Sequence, residues 1–276
     1  MTVCVGIKVN DGIVFAADSA VSLFGPTEDG GYSVYNVWMH GQKVFNLHRE
    51  LPVMAMTAGT GNFGTRSINS LAKEFRIQLM RKLDRKSYQI IDIVNMATQY
   101  FQDAYARIDP QPTTEFFFEF WIGGYGHDNV QGEIWKIAIR GGQSPETMLL
   151  AEAEASGEFM CGGGIQAINR LLLGYDPQVI SILQSHLEES QVRLITSELS
   201  NLNTPLAEPT MPVQDAIDLA DYFVDMSKRY VAFLPGADVV GGDTDIATTT
   251  RFEGFKWVRR KHYYPSHLNR RTDHVR

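Results

Sequence analysis

The sequence predicts an α+β fold, a four-layer αββα sandwich in which two mainly antiparallel sheets pack face to face between outer pairs of helices. Strand and helix signals follow one another in blocks along the 276 residues, without the strict β-α-β alternation of a doubly wound parallel sheet. Apolar residues make up 44% of the chain, which is enough for a large core. No internal repeat or low-complexity linker divides the sequence, so we expect one domain.

The first strands come from the N-terminal quarter of the chain. Residues 2–9 and 13–18 read as two strands around Asn-Asp-Gly, which is a hairpin turn signal. A segment rich in Gly, Tyr and Asp follows over residues 23–41 and is typical of a long loop or an extra hairpin. The segments QKVFNL and PVMAMTA then predict a second strand pair.

Helical periodicity replaces the strand signals after Thr65. Apolar side chains recur at helical spacing from Ile68 to Leu83, and a second helix is expected from Tyr88 to Ile108. Strand signals return in TEFFFEFWIGGYG, GEIWKIAIRGG and TMLLAEA. The short strand EFMCGG then leads into the helix IQAINRLLLGY.

The last hundred residues contain a predicted insertion and a long helix. Residues 176–208 are interpreted as an inserted helical segment, and VQDAIDLADYFVDMSKRYVAF shows the apolar stripe of a helix. The segments DTDIATTTRF and EGFKWVRR predict the final strands. The predicted organisation is therefore a single domain over residues 1–258, followed by a basic tail over 259–276.

The composition excludes several classes of protein. Two cysteines, Cys4 and Cys161, make neither a disulfide framework nor a zinc cluster, and they suit a reducing compartment. The N-terminus lacks the basic start and apolar run of a signal peptide, and no stretch approaches 18 uninterrupted apolar residues. We therefore expect a cytoplasmic protein that makes no contact with a membrane.

The net charge of −7 hides a basic C-terminal end. Residues 251–276 carry eight Lys or Arg side chains against Glu253 and Asp273. A basic tail can bind nucleic acid, but it can also lie on the acidic body of its own chain or of a neighbouring subunit. Five aromatic side chains in the same segment favour docking on protein, so nucleic acid is not an expected partner.

Thr2 raises the question of a nucleophile at the start of the first strand. If Met1 is removed, Thr2 carries a free α-amine with a reference pKa of about 7.7–8 together with a hydroxyl. The amine can accept the hydroxyl proton, which is a known way to activate threonine. A neighbouring ammonium would lower the pKa of the amine, and a carboxylate would hold that ammonium in place.

Asp18 is the first candidate for this carboxylate, and its position depends on the hairpin register. A three-residue loop over 10–12 places Asp18 opposite Cys4, on the same face as Thr2. A two-residue Asp-Gly loop instead pairs Asp18 with Val5, on the opposite face. The sequence does not decide between the two registers. It is also compatible with Asp18 as a strand-end residue that caps a turn.

A glycine-rich stretch at residues 59–64 matches the pattern G-x-G-x-x-G, which occurs in dinucleotide-binding folds. That function also needs a second parallel strand ending in an acidic residue about 20 residues later. Two helices are predicted there instead, and Glu74 and Asp84 fall inside their pattern. We interpret the glycines as a strand end at which the backbone approaches another group closely.

Four stretches together resemble the β-subunits of proteasomes and their bacterial, ancestral-β-subunit relatives. They are Thr2 followed by VCVGIKV, then DGIVFAADS, QKVF and MTAG. Those proteins are N-terminal nucleophile hydrolases, and the resemblance implies their αββα fold. It is specific over residues 2–64, and the pair Gly241-Gly242 after the last long helix is a further point of similarity.

The resemblance implies a set of catalytic residues. Thr2 matches the nucleophile, Asp18 matches the aspartate of the AADS stretch, and Lys43 matches the lysine before a Val-aliphatic pair. Gly59 matches the glycine whose amide N–H binds the oxyanion. Neither a metal nor an organic cofactor is implied.

The chain departs from the family pattern at two places. The serine between two glycines is replaced by an all-glycine run at 162–164, and the motif D-x-x-S-G-G is present as ADVVGG. Asp238 is one position late in that motif, and Ser19 follows the catalytic aspartate, so both are accessory candidates. His40 and His48 flank Lys43 in a loop context, and we expect no catalytic role for either.

The predicted function is that of a threonine-type endopeptidase. Peptide or unfolded protein would be cleaved through an acyl ester on Thr2, inside a homo-oligomeric ring or helical assembly. Whether an ATPase regulator feeds this assembly is not indicated. A catalytically silent ring or scaffold protein and a small-molecule amidase on the same fold are the alternatives.

Overall fold

The computed structural model describes residues 2–26, 32–112, 115–202 and 205–261. Met1, the tip of the excursion at 27–31 and the tail from residue 262 lie outside these ranges. The strands are β1 (Val3–Val9), β2 (Gly12–Ala17), β3 (Val21–Pro26), β4 (Tyr32–Trp38), β5 (Val44–Asn46), β6 (Val53–Gly59), β7 (Asn62–Phe63), β8 (Arg66–Ser67), β9 (Phe117–Gly124), β10 (Glu133–Arg140), β11 (Glu146–Ala151), β12 (Glu158–Gly163), β13 (Asp245–Thr250) and β14 (Gly254–Arg259). The helices are α1 (Ile68–Lys82), α2 (Ile90–Ala106), α3 (Gln166–Leu173), α4 (Gln178–His186), α5 (Glu189–Ser200) and α6 (Val213–Ala232).

Two five-stranded sheets form the centre of the molecule. The first has the strand order β12-β1-β2-β13-β14, and the second has the order β11-β10-β9-β6-β5. Every strand pair within them is antiparallel. The prediction of a mixed fold with mainly antiparallel sheets is therefore confirmed. The excursion after β2 contains the hairpin of β3 and β4, which pair only with each other among the described strands.

Helices α1 and α2 pack against the second sheet because each has an apolar stripe at helical spacing. The stripe of α1 includes Leu71 and Phe75, and the hydroxyl of Ser67 caps the helix by accepting a bond from the Ser70 amide. Phe101 of α2 lies 4.6 Å from Phe120 of β9, measured between ring centroids. Burying each such ring contributes about 1.5–3 kcal/mol, so aromatic packing holds this helical layer on the sheet.

Helix α6 packs against the outer face of the first sheet. Phe223 of α6 lies 4.8 Å from the ring of Phe159 in β12, and Val224 belongs to the same cluster as Val5 and Ile7 of β1. Helix α3 contributes Ala167 and Ile168 to the buried residues of this side. Helices α4 and α5 lie within the predicted insertion and contact each other.

A third apolar cluster joins residues of the two sheets. It contains Cys4 and Phe15 from the first sheet and Met56 and Trp121 from the second. Gly123 of β9 adjoins Phe15 of this cluster, and a Cβ on Gly123 would lie 2.8 Å from the Phe15 ring. The ring of Phe15 therefore occupies space that a side chain at position 123 would need.

The N-terminal hairpin differs from both predicted registers. Val9 pairs with Gly12, so the turn consists only of the two exposed residues 10–11. Gly12 does not have a positive φ, and a Cβ on it would lie 3.3 Å from a backbone oxygen of β13. It therefore belongs to the strand and not to the turn. The actual register continues to Asp18, whose amide donates to the carbonyl of Val3 at 3.3 Å.

Within the described part of the chain, no helix combines the length and the apolarity that crossing a bilayer requires.

Candidate active site

Asp18 is the centre of the candidate site and is completely buried at the end of β2. Its Oδ1 accepts hydrogen bonds from the Val3 amide at 3.0 Å and from Lys43 Nζ at 2.6 Å. Its Oδ2 accepts bonds from the amides of Ala20 at 3.1 Å and Gly241 at 3.0 Å. Four N–H donors face two oxygens, which is the environment of an ionised carboxylate.

Lys43 supplies the positive charge of this site. It immediately precedes β5, and only 5% of its surface is exposed. Its carbonyl accepts a bond from the Thr57 amide at 2.9 Å, which fixes the backbone of Lys43 beside β6. A lysine beside a strand is usually solvated, but here the ammonium is buried and paired with Asp18.

Thr2 lies at the start of β1, next to the Val3 amide that Asp18 holds, and is only 3% exposed. Its carbonyl accepts a bond from the Gly164 amide at 2.6 Å. Gly163 has a φ of +81°, and a Cβ built on it would overlap the Thr2 carbonyl oxygen. The all-glycine run therefore lets the backbone of β12 approach Thr2 at a place where a serine side chain would collide.

Gly59 ends β6 in a conformation that favours glycine. Its φ is +92°, and a Cβ on it would overlap the carbonyl oxygen of Phe117. Two residues earlier, the carbonyl of Thr57 accepts a bond from the Cys4 thiol at 3.1 Å, which joins β1 to β6. Gly59 therefore lies on the same strand as Thr57, whose amide donates to the Lys43 carbonyl.

The two accessory candidates differ in their surroundings. Ser19 is completely buried; its amide donates to the Gly241 carbonyl at 2.8 Å and its hydroxyl donates to the Asp243 carbonyl. Asp238 is exposed. The part of the 237–242 turn that contacts Asp18 is the backbone amide of Gly241, which the sequence motif did not single out as a site residue.

A second buried ion pair, absent from our sequence prediction, adjoins this group. Lys261 Nζ lies 2.6 Å from Asp245 Oδ2, and both side chains are at most 5% exposed. The same ammonium donates to the Ser19 hydroxyl. Since Lys261 is one of eight basic residues near the C-terminus, sequence pattern alone does not distinguish it from its solvated neighbours.

The two cysteines do not provide an alternative nucleophile. Burial raises the pKa of the Cys4 thiol far above its ordinary value, despite the nearby Lys43 ammonium, which lowers it. Burial also raises the pKa of Cys161 to about 11. Both side chains are therefore thiols at neutral pH, and a thiol is a poor nucleophile.

His48 has a structural role in the turn between β5 and β6. Its ring is completely buried, and its Nδ1 accepts hydrogen bonds from the amides of Glu50 at 3.1 Å and Leu51 at 3.2 Å. Burial, and then the Arg85 guanidinium, lower the pKa of His48 below its ordinary value of 6.5. Protonation at Nδ1 would break both bonds, so the folded protein holds His48 neutral.

This arrangement predicts a pH dependence of stability. Because the unfolded chain binds the His48 proton more readily, this contribution to the free energy of unfolding is complete above pH 6.5 and falls as the pH drops toward the lower folded pKa. We expect the thermal midpoint of His48→Asn, whose Oδ1 can accept the same amides, to fall less than that of the wild type between about pH 7.5 and pH 5.5. The exposed His186→Asn variant is the control and should follow the wild type. Equal slopes for His48→Asn and the wild type would contradict the assignment.

An open cavity of about 530 Å³ lies away from this site. Acidic side chains line it, including Asp128, Glu133 and Glu152. Lys8 Nζ donates to the Glu152 carbonyl, and Lys8 lies six residues along β1 from Thr2, about 20 Å at the rise of a strand. The cavity and the candidate site are therefore separate features. Among the described residues, no group of three or more His, Cys, Asp or Glu side chains is arranged to hold a metal ion.

The fold matches solved structures of Anbu proteins. One is the helical assembly of the Anbu complex from Pseudomonas aeruginosa, with 16% identity, a TM-score of 0.56, and coverage of 95% of this chain and 88% of that one. A second is an Anbu mutant from Hyphomicrobium sp. strain MC1, with 15% identity, a TM-score of 0.57, and coverage of 95% and 86%. A third is Anbu (ancestral beta-subunit) from Yersinia bercovieri, with 15% identity, a TM-score of 0.50, and coverage of 95% and 89%. The chain shares the fold of these proteins.

The comparisons also correct the resemblance drawn from the four sequence stretches. No protein-family model matches the chain, and no curated protein matches it. Identities of 15–16% to the solved structures establish a common fold and nothing finer. The assignment of this chain to the proteasome β-subunit family, which rested on those stretches, was therefore wrong.

Proposed function

We propose that this protein is an N-terminal threonine hydrolase that cleaves peptide bonds. The observation that carries the proposal is the buried Asp18–Lys43 pair, whose carboxylate also holds the Val3 amide next to Thr2. A buried ion pair is costly to desolvate, and an apolar pair could often replace it without loss of stability. Its position beside the one residue that can carry both an amine and a hydroxyl supports a role in chemistry.

The proposed reaction begins when the peptide bond before Thr2 has been cleaved. The Thr2 amine takes the hydroxyl proton while Oγ attacks the carbonyl carbon of the substrate, and the Gly59 amide donates to the oxyanion. The amine returns the proton to the leaving nitrogen as the peptide C–N bond breaks. Water then hydrolyses the ester on Thr2 by the same path.

Lys43 and Asp18 act on the electrostatics of this reaction. The Lys43 ammonium favours a neutral Thr2 amine and stabilises negative charge on Oγ, because it places a fixed positive charge in a buried region. Asp18 keeps that ammonium charged and in one place through the 2.6 Å bond. The proposed chemistry uses only groups of the protein and water.

We further propose that copies of this chain assemble into a ring or helical homo-oligomer in the cytoplasm, with the site on the inside and peptide or unfolded protein as substrate. The Pseudomonas aeruginosa neighbour forms a helical assembly, which supports this proposal. In the same proposal, residues 1–258 make one four-layer αββα domain of the N-terminal nucleophile type. Helices α1 and α2 cover one sheet, α3 and α6 cover the other, and Cys4, Phe15 and Trp121 belong to the cluster that joins the two sheets.

A catalytically silent assembly protein is the second candidate, and two observations favour it. The glycine run beside Thr2 carries no hydroxyl that could hold the amine, and Asp238 is exposed. Such a protein would keep the Asp18–Lys43 pair as a structural remnant.

The test is the intact mass of the native protein before and after incubation with a peptide epoxyketone. This electrophile reacts with the hydroxyl and the free amine of one N-terminal residue. We expect a chain that begins at Thr2 and gains one adduct. A native chain that keeps a residue before Thr2, or a free Thr2 that never reacts, would contradict the hydrolase and favour the silent assembly protein.

A further inference from the structure

Lys261 is buried in a segment that otherwise has the composition of a solvated tail. It lies two residues after the end of β14, and its whole residue is 9% exposed. Its side chain returns to the start of β13, where Nζ lies 2.6 Å from Asp245 Oδ2. The Lys261 amide also donates to Asp245 Oδ1 at 3.3 Å, so one carboxylate holds both ends of the residue.

The Lys261 ammonium also determines the orientation of the Ser19 hydroxyl. An ammonium can only donate, so Ser19 Oγ accepts from Nζ and must direct its own proton to the Asp243 carbonyl, which it contacts. Ser19 is completely buried, and the Lys261 ammonium that donates to it forms an ion pair with the Asp245 carboxylate. These contacts exclude a serine–lysine nucleophile and leave Ser19 as a link between two chain segments.

The same segments hold the carboxylate of the candidate site. The Ser19 amide donates to the Gly241 carbonyl at 2.8 Å, and the Gly241 amide donates to Asp18 Oδ2 at 3.0 Å. The Ser19 carbonyl accepts from the Gly41 amide at 2.8 Å, two residues before Lys43. A continuous chain of hydrogen bonds therefore runs from Lys261 through Ser19 and Gly241 to Asp18.

We propose that Lys261 is a positioning residue for the candidate active site. It fixes the Ser19 turn against residues 241–243 and thereby holds the Asp18 carboxylate in the orientation that directs Lys43 toward Thr2. The effect of Lys261 on Asp18 depends only on the contacts above. Its effect on the reactivity of Thr2 rests on the proposed function.

The test uses the double variant Lys261→Met/Asp245→Asn in the full chain. Removing both charges avoids leaving the buried Asp245 carboxylate unpaired, which would confuse loss of positioning with loss of folding. Ser19→Ala is a second variant that keeps the ion pair and removes only the link. Lys256→Met, an exposed lysine on β14, is the matched control.

Two quantities are measured for each variant. The first is the hydrogen–deuterium exchange of the segments that contain the Val3 and Gly241 amides, with β9 as an internal reference. The second is the rate of reaction of Thr2 with a peptide epoxyketone as a function of pH. We expect exchange in both segments to be about tenfold faster in the double variant and in Ser19→Ala, with β9 unchanged. We expect the Thr2 reaction to slow about tenfold, with a displaced pH profile.

Unchanged exchange at both segments in a folded double variant or in folded Ser19→Ala would overturn the positioning role. Equal effects in Lys256→Met would overturn it as well. If exchange is faster in a variant but the pH profile of its Thr2 reaction with the epoxyketone is unchanged, the proposed effect of Lys261 on the reactivity of Thr2 is overturned. If the wild type does not react with the epoxyketone, the proposed function fails, and the exchange data still decide whether Lys261 positions Asp18.

Discussion

Replacement of Thr2 by alanine is expected to lower the rate of peptide hydrolysis by at least about 1,000-fold. The alanine keeps the α-amine and the backbone bond from the Gly164 amide to the residue 2 carbonyl, but it has no Oγ to form the acyl ester. Stability should change by no more than about 1 kcal/mol, because the substitution removes one hydroxyl and one methyl group at a strand end. The measurement is the initial rate on a fluorogenic peptide, with the thermal midpoint measured in parallel.

Thr2→Ser is the matched variant for this prediction, because it keeps the hydroxyl and the amine and loses only the methyl group. It should retain measurable hydrolysis and a single epoxyketone adduct. Hydrolysis by Thr2→Ala at the wild-type rate would show that the nucleophile lies elsewhere. Loss of activity together with a large fall in the thermal midpoint would show that Thr2 acts in folding.

Replacement of Lys43 by methionine is expected to reduce both stability and activity. The variant leaves the Asp18 carboxylate buried without its cation, and breaking such a pair typically costs about 3–5 kcal/mol. The three amides that still donate to Asp18, those of Val3, Ala20 and Gly241, place the expected loss near the lower end of that range. Hydrolysis should fall at least about 100-fold, because the positive charge beside Thr2 is lost.

The double variant Asp18→Asn/Lys43→Met separates the two roles of the pair. It contains no uncompensated buried charge, so its free energy of unfolding should recover part of the loss in Lys43→Met, whereas hydrolysis should remain low. The recovery is incomplete because amides donate to both oxygens of Asp18, and the NH2 group of asparagine cannot accept from them. The free energy of unfolding comes from denaturant titration, and the rate comes from the same fluorogenic peptide. Recovery of both quantities together would mean that the ion pair has only a structural role.

Local patterns predicted the secondary elements well where periodicity is strong. The expected helix from Ile68 to Leu83 is observed as Ile68–Lys82, and the expected helix from Tyr88 to Ile108 is observed as Ile90–Ala106. Their apolar stripes face a sheet, so packing agrees with local propensity. Both predicted registers of the β1–β2 hairpin were wrong, because they placed Gly12 in the turn. Gly12 pairs with Val9 and packs closely against β13, so it belongs to the strand.

The candidate site could be predicted only in part. Asp18 and Lys43 were found through matching stretches, and their contact requires long-range packing that no local pattern reports. Lys261 and Asp245 were missed because the burial of one lysine among eight basic residues depends on where the chain after β14 returns. Asp238 was a candidate by motif spacing, whereas the actual donor to Asp18 is the amide of Gly241, a group that every residue type except proline carries.

The position of β13 beside β2 has a consequence for the order in which the candidate site can form. The Asp18 carboxylate accepts from the Gly241 amide, and the neighbouring Ser19 is bound by Lys261. The surroundings of Asp18 therefore depend on residues that lie far along the chain from it. Contacts of such high sequence separation form late in folding, because the loop between them must first close. A chain that ends before residue 241 would therefore carry Thr2 without the complete set of donors to Asp18. Under the proposed function, this topology would keep Thr2 unreactive until the segment that contains Gly241 and Lys261 is in place.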